Sequence, residues 1–391
     1  MHSRPLSVDV DSLCAALTLR DLTDPSRGPH AMQVLLDEVV AALAAAWGCE
    51  VRVHRALPVV SARDNYDRLY YPPDGVARDA RYTRWLGPGV LLRTQTSAMI
   101  PPALDQLAAA PGWRDVLLVC PGLVYRRDCI DRHHVGEPHQ VDLWRIRRGA
   151  PLERADLLAM VAAVAGAALP GWRTRTVDAA HPYTVGGLQI DASRGDGDDA
   201  GREWLEIGEC GLAGPRLLVD AGHGAGHGAG HGEPTTGLAM GLGLDRLLML
   251  RKGIPDIRLL RARDPRIAAQ LADLTRWRPV SAMPPVRRDL SIAVDADDRA
   301  EDLGDRVRAA LGTRAAAVES VEVRTETPLE ALPGPARARL GIQPGQKNLL
   351  VRVVLRDLER TLTHDEANCL RDDIYAALHR GTAHQWAGRA G

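Results

Sequence analysis

The segment Tyr125-Arg126-Arg127-Asp128-Cys129-Ile130-Asp131 runs from an apolar stretch into a polar loop, and Pro138-His139-Gln140-Val141-Asp142 returns from it. A hairpin between the two would bring Arg126 near Gln140 and Asp142. An arginine beside carboxylates and an amide can hold a triphosphate and an α-amino group side by side, because the guanidinium forks onto phosphate oxygens while a carboxylate takes up an ammonium. A solvated charged hairpin uses the same residue types, so this segment alone leaves both readings open. A second candidate is Gly237-Leu238-Ala239-Met240-Gly241-Leu242-Gly243-Leu244-Asp245-Arg246. It fails the dinucleotide fingerprint, which needs a third glycine and an acidic residue about 20 positions on. It does suit a strand on which a nucleotide lies against glycines, with Arg246 on a phosphate. The third is the repeat Gly222-His223-Gly224-Ala225-Gly226-His227-Gly228-Ala229-Gly230-His231-Gly232. Three histidines at that spacing could bind a metal. A glycine backbone does not preorganise ligands, and a flexible loop is the simpler reading.

These segments need elements to hold them. Residues 31–47 have apolar positions at helical spacing and predict one amphipathic helix. A second helix is expected over 153–169, ended by Pro170-Gly171. Short apolar runs at 116–119, 123–125, 141–146, 188–191, 204–207 and 217–219 read as strands, and 237–250 as a strand, a turn and a helix. Helices and strands intermix without a regular β-α-β alternation, which points to an α+β fold. Pro279, Pro284 and Pro285 mark a boundary. Beyond it, strands at 289–294, 318–324 and 349–356 and helices at 300–311 and 365–378 give the order β-α-β-β-α, a small ferredoxin-like domain.

Composition narrows the class. The chain has 391 residues, 45% of them hydrophobic and 25% charged, with a formal net charge of -1. That length predicts about two or three domains. There is no apolar run of roughly 18 residues, so no membrane-spanning helix is expected, and the first residues lack the layout of a secretory signal. Six cysteines (Cys14, Cys49, Cys120, Cys129, Cys210, Cys369) are scattered without a CxxC pair. This argues against a zinc ribbon or a disulfide scaffold and suits a reducing cytoplasm. The charge balance does not advertise nucleic acid, although a local patch can still bind RNA. Lys252 and Lys347 are the sole lysines, and phenylalanine is absent although the chain has 8 tryptophans and 7 tyrosines.

Taken in order, the segments resemble a family. Leu92-Arg93-Thr94-Gln95-Thr96-Ser97, then 124–128 through His139-Gln140, then Trp204-Leu205-Glu206-Ile207, then 241–247 continuing to Gly253-Ile254-Pro255-Asp256-Ile257-Arg258 are similar to the catalytic domain of class II aminoacyl-tRNA synthetases. Within that class they resemble the phenylalanyl-tRNA synthetase α-chain, in its single-chain organellar form. Pro285-Val286-Arg287-Arg288-Asp289-Leu290 and Glu359-Arg360-Thr361-Leu362-Thr363 resemble its ferredoxin-fold anticodon-binding domain. The resemblance spans roughly 55–380. It implies an antiparallel sheet flanked by helices plus a small ferredoxin-like α/β sandwich. The expected division is an N-terminal extension at 1–30, a catalytic domain at 31–278 and an anticodon-binding domain at 284–391. It also implies ATP-dependent formation of an aminoacyl-adenylate and transfer to tRNA. The expected ligands are ATP, Mg²⁺ and an amino acid, with tRNA held by the C-terminal domain and the chain acting as monomer or homodimer.

The residue roles carried by the resemblance are specific. Arg126 would hold the α-phosphate and Arg246 the γ-phosphate. Asp128 would read adenine, and Glu206 would serve Mg²⁺ or the nucleotide. Ser97, Gln140 and Asp142 would bind the α-amino group, Gln95 stands where the family has His, and Ala239 lines the side-chain pocket. The family's Phe-Pro-Phe stretch reads His181-Pro182-Tyr183, its adenine-stacking aromatic is Pro138, and its Gly-Phe-Ala-Phe pattern is Gly237-Leu238-Ala239-Met240. A terminal phenylalanine becomes Leu260, and the Leu-Gly after Trp-Leu-Glu-Ile becomes Gly208-Glu209. Three explanations fit: a changed amino acid, with His181 and Tyr183 adding polar tips to the pocket; a chain that avoids phenylalanine as a back-up or resistant enzyme; or GC-biased coding. Two rival functions are a paralogue that hands its acyl group to a non-translational acceptor and a non-catalytic RNA-binding paralogue. The intact Arg126 and Arg246 argue against the second.

Overall fold

A computed structural model of the chain describes residues 8–78, 82–127, 129–194, 203–223, 233–280 and 283–384. Its chain contacts divide it into two units. One comprises Met1–Arg126, Glu137–Ile254 and Gln270–Trp277, the other Arg127–Gly136, Pro255–Ala269 and Arg278–Gly391.

Thirteen strands are described: β1 (Glu50–Val53), β2 (Val59–Ser61), β3 (Trp85–Gly87), β4 (Val90–Leu92), β5 (Asp115–Leu123), β6 (His139–Arg148), β7 (Arg173–Asp178), β8 (Thr184–Ser193), β9 (Leu205–Ala213), β10 (Thr235–Gly243), β11 (Val286–Asp295), β12 (Val318–Pro328) and β13 (Gln346–Leu355). The first unit is built on a seven-stranded sheet in the order β1-β5-β6-β10-β9-β8-β7, and a small sheet β2-β4-β3 accompanies it. The β1–β5 pair is parallel, and the other neighbours in the large sheet are antiparallel.

Both faces of the central strands are buried, which is why β5 and β6 read as near-continuous apolar runs. Val116, Leu118, Cys120, Trp144, Ile146 and Ala239 pack with Ile100, Leu104 and Leu107 of the helix Ile100–Ala109. Leu117, Val119, Val141 and Leu143 alternate with them and are also buried. The helix over Ala31–Trp47 buries Ala31, Met32, Leu35, Leu36, Val39 and Leu43, a single stripe at helical spacing. His30 caps its start, with Nδ1 accepting the Met32 N–H, and Gly48 ends it in the left-handed conformation. The second expected helix occupies Arg154–Ala168, closed at its start by a reciprocal Glu153–Asp156 capping box.

Two expectations needed correction. Residues 217–219 are not a strand. Pro215 opens a helical turn over Pro215–Leu218, which buries Leu217 and Leu218 beside Leu104. Proline preset at the first helical position explains the switch, since a short apolar run does not by itself distinguish a strand from a buried turn. Val124 and Tyr125 lie beyond the end of β5, although Val124 N still bonds the Pro138 carbonyl. Among the described residues, no helix is long and apolar enough to cross a membrane.

The second unit carries the sheet β11-β13-β12, with β13 central and both pairings antiparallel. Leu290, Ile292 and Val294 of β11 and Leu349, Val351, Val353 and Leu355 of β13 alternate onto one face. There they meet Leu303, Val307 and Leu311 of the helix Ala300–Leu311, and Leu370, Ile374 and Leu378 of the helix His364–Leu378. The strand and helix order is that of the expected small ferredoxin-like domain. An extra short helix, Gly334–Leu340, has no counterpart in the expected order.

Candidate active site

Strand register gathers the candidate residues on one face of the large sheet. Ala239 lies opposite Trp144, Gly241 opposite Asp142 and Gly243 opposite Gln140. On the other side of β10, Ala239 lies opposite Gly211 and Gly241 opposite Glu209. With alternating side chains, Gln140, Asp142, Ala239, Gly241, Gly243, Glu209 and Gly211 therefore share a floor across three strands. The floor is nearly free of side-chain bulk. A Cβ at Gly243 would meet nothing within 4 Å, and one at Gly241 only Asp142 Oδ2 at 3.9 Å. Packing does not require glycine at either position, so the missing side chains leave room above the sheet. Gly211 is different: its Cβ would sit 2.7 Å from Thr184 Cβ, and here the close strand crossing demands glycine.

Asp142 is the electrostatic centre of this floor. It is 3% exposed and accepts hydrogen bonds from Thr96 Oγ1 (2.6 Å), Ser97 Oγ (3.0 Å) and Trp144 Nε1 (3.0 Å). Burial holds its carboxyl above the ordinary aspartate range, and the donors from Thr96, Trp144 and Ser97 oppose that rise. Thr96 and Ser97 arrive on a single turn, Thr96–Met99, that leads into the helix Ile100–Ala109. The Thr96 N–H points to Gln140 Oε1 at 3.4 Å. Gln95 donates to the Asn65 carbonyl (3.2 Å) and accepts from the Tyr71 hydroxyl (3.0 Å).

An aromatic array adjoins the carboxylate. Tyr183 stacks on Trp144 at 6.0 Å, tilts against Tyr71 at 6.1 Å and faces His181 at 5.9 Å. Its hydroxyl lies 3.4 Å from Ser97 Oγ, and burial, with Tyr71 and Asp142 adding to it, pushes that hydroxyl well above the usual tyrosine range. His181 Nε2 meets Glu209 Oε2 at 2.6 Å. That contact holds the Glu209 carboxyl below its ordinary range against partial burial.

The cations stand around this floor. Arg126 Nε donates to the Thr94 carbonyl at 2.7 Å. The β5–β6 hairpin forms, but the contact described for Arg126 is with the 94–97 segment rather than with Gln140 or Asp142 directly. Arg126 acts electrostatically on both Glu206 and Glu209. Arg246 Nη1 donates to the Glu206 carbonyl at 2.7 Å. Partial burial and then Glu209 push the Glu206 carboxyl up, while Arg246 and Arg126 pull it down. Asp128 lies outside the described residues, as do His227 and His231 of the glycine-histidine repeat.

Several site residues carried no separate signal in the sequence. Thr96 supplies the shortest hydrogen bond to Asp142, and Tyr71 and Trp144 build the ring array. Glu209 was visible as a departure from the family pattern, but its pairing with His181 was not. His139 and Asp245 are both buried and position the floor. The Asp245 carboxylate receives the His139 backbone N–H and its Nδ1 (3.1 Å). The Leu22 N–H donates to Nε2 at 3.0 Å, so the imidazole proton resides on Nδ1. This ties β6 to the helix Leu244–Lys252 that presents Arg246.

A family model described as "tRNA synthetases class II core domain (F)" matches residues 20–271. The chain belongs to this family. It is therefore an aminoacyl-tRNA synthetase, and a second model, "Ferredoxin-fold anticodon binding domain", matches residues 281–385 of the same synthetase. Curated relatives include three named "Phenylalanine--tRNA ligase alpha subunit". That of Prochlorococcus marinus (strain MIT 9313) is 32% identical over 64% of this chain and 69% of its own length. That of Deinococcus radiodurans is 31% identical over 65% of this chain and 73% of its own. That of Gemmatimonas aurantiaca is 34% identical over 53% of this chain and 58% of its own.

Proposed function

We propose that this synthetase activates phenylalanine, or a related aromatic or polar analogue, with ATP as the aminoacyl-adenylate and transfers it to tRNA. The observation that carries the reading is a buried carboxylate, Asp142, beside the rings of Tyr71, Trp144 and Tyr183 on one sheet face. An amino acid there sets its ammonium against Asp142, Ser97 and Gln140, with its side chain among the rings and over Ala239. Gln95, held by Asn65 and Tyr71, borders it. Arg126 takes the α-phosphate, Arg246 the γ-phosphate and Asp128 the adenine. The amino acid's carboxylate oxygen attacks the α-phosphorus, an oxygen–phosphorus bond forms, and the bond to pyrophosphate breaks. Arg126 stabilises the charge that grows on the α-phosphate, and no protein side chain needs to move a proton.

Mg²⁺ fits the donor chemistry at Glu206. Its carboxyl is pushed up partly by neighbouring Glu209, a repulsion that a cation relieves, and Mg²⁺ usually binds through one or two carboxylates plus substrate phosphates. When bound, the ion offsets phosphate charge. We assign 31–278 to catalysis and 284–391 to reading tRNA, with 1–30 as an extension, in a single-chain cytoplasmic enzyme acting as monomer or homodimer.

One contact favours a side chain with a polar group over a bare phenyl ring. Where the family has phenylalanine and glycine, this chain has His181 and Glu209, and the two meet at 2.6 Å. A paired polar site of this kind discriminates strongly for a substrate that completes its hydrogen bonds. The buried Thr184 hydroxyl, which has no partner among the described residues, adds to this. Tyrosine-like and other polar aromatic amino acids are then preferred to phenylalanine. A chain that simply avoids phenylalanine predicts phenylalanine itself.

ATP–pyrophosphate exchange with each of the twenty amino acids and tyrosine-like analogues, followed by tRNA charging, tests the proposal. Exchange with an aromatic amino acid, abolished by Arg126→Ala, and charging of tRNA are expected. Exchange with no amino acid sinks the catalytic reading, and exchange without charging sinks the tRNA reading.

A further inference from the structure

We infer that Cys129, Asp131 and His134 form a binding site for a single zinc-type divalent cation on the loop between β5 and β6. One ligand atom from each residue lies within 4.8 Å of the other two. Cys129 Sγ is 3.7 Å and His134 Nδ1 2.8 Å from Asp131 Oδ2. Donors around a tetrahedral zinc, at its usual 2.0–2.3 Å bond lengths, stand about 3.3–3.8 Å apart, so small side-chain rotations suffice. Sulfur, imidazole nitrogen and carboxylate oxygen together select a borderline-soft ion rather than Mg²⁺ or Ca²⁺. Three protein ligands leave the fourth position to water.

The loop is already held in shape for this. The Cys129 carbonyl accepts from Arg308 Nη2 at 2.7 Å, and the Ile130 carbonyl from the Val321 N–H at 2.9 Å. Ile130 is buried in the core of its unit, and the Arg132 carbonyl accepts from the Ile257 N–H. Asp131 and His134 pair as an isolated antiparallel bridge. Asp131 Oδ1 accepts the His133 N–H at 2.6 Å, which turns Oδ2 toward the other two ligands. All three ligand residues are partly exposed, so an ion can enter from solvent. The lysine-free, charge-dense loop therefore presents an anchored set of donors.

The test is spectroscopic and independent of catalysis. The full chain, stripped of metal and kept reduced, is titrated with Co²⁺ and then Zn²⁺. One equivalent of Co²⁺ should give a thiolate-to-cobalt charge-transfer band that Zn²⁺ bleaches. Cys129→Ser should remove the band, and Asp131→Asn and His134→Ala should each weaken Co²⁺ binding at least about tenfold. Cys14→Ser and Cys369→Ser, at the exposed cysteines, should leave it intact. No such band in the unaltered chain, or a band that survives Cys129→Ser, overturns the assignment. Circular dichroism checks that each variant folds. Should Cys129→Ser fail to fold, the unaltered chain and Asp131→Asn decide the matter.

Discussion

A carboxylate surrounded by Thr96, Ser97 and the Trp144 indole is desolvated and still expected to be charged when it meets an ammonium. Burial places the folded-state pKa of Asp142 above the unfolded value, so ionising it costs stability as pH rises through that raised pKa. A bound ammonium repays the cost only when Asp142 is ionised. The KM for the amino acid should therefore rise as pH falls through the raised pKa, above the usual aspartate range, in a pyrophosphate-exchange profile. Asp142→Asn should flatten that profile and raise KM about 30-fold, the scale of 2 kcal/mol for truncating a buried charge partner. Glu209 has the opposite sign. His181 lowers its folded pKa, so the contribution of the pair is present above the ordinary glutamate range and lost as pH falls through the lowered value. His181→Phe with Glu209→Gly should shift kcat/KM toward phenylalanine by about tenfold, one step of about 1.4 kcal/mol. The single Glu209→Gly should fall short of that, because it leaves an imidazole in the pocket. An unchanged amino-acid ranking in the double variant would refute the pocket assignment.

At the level of elements, β10 separates two kinds of glycine position in and beside the site. Gly243 faces open space, whereas Gly211 on β9 is pressed against Thr184. Gly243→Ala should leave the thermal midpoint nearly unchanged, costing at most about 1 kcal/mol as a helix cap, yet raise the KM for ATP severalfold. Gly211→Ala should instead cost about 1–3 kcal/mol of stability through overpacking, visible in denaturant unfolding before any change in substrate affinity. The link between His139 and Asp245 belongs to the same scale. It holds the end of β6 against the helix Leu244–Lys252, and through it Arg246 keeps its place over β9.

Across the whole molecule, each unit has its own apolar core. Ile292→Ala removes a fully buried side chain from the sheet β11-β13-β12 and should cost about 2–5 kcal/mol there. Two separate cores permit more than one unfolding step, for which a single midpoint is not defined. Differential scanning calorimetry should show the variant lowering one transition, and saturating ATP with amino acid raising the other. tRNA charging should be lost at a lower temperature than pyrophosphate exchange. A single transition that moves as a whole in both experiments would contradict independent cores.

Periodicity by itself determined much of the scaffold. The helices at Ala31–Trp47 and Ala300–Leu311 end where the apolar stripe and its caps end, because local hydrogen bonding and one buried face decide a helix within its own sequence. Most strands were legible for a different reason, as short apolar runs left by burial of both faces, and the ordered segments from Leu92 to Arg258 were enough to point to the family. Tertiary structure decided what depends on a partner far along the chain. The helical turn at Leu217 follows from Pro215 and a buried contact with Leu104. Arg126 bonds the Thr94 carbonyl, 32 positions away. Residues Arg127–Gly136 belong to the C-terminal unit, where Ile130 is buried and its carbonyl accepts the Val321 N–H, although they lie in sequence between two strands of the large sheet. His181 and Glu209, 28 positions apart, meet because β8 and β9 are neighbours. Strand register converts distant letters into contacts, and register is set by the burial of whole faces rather than by any local pattern.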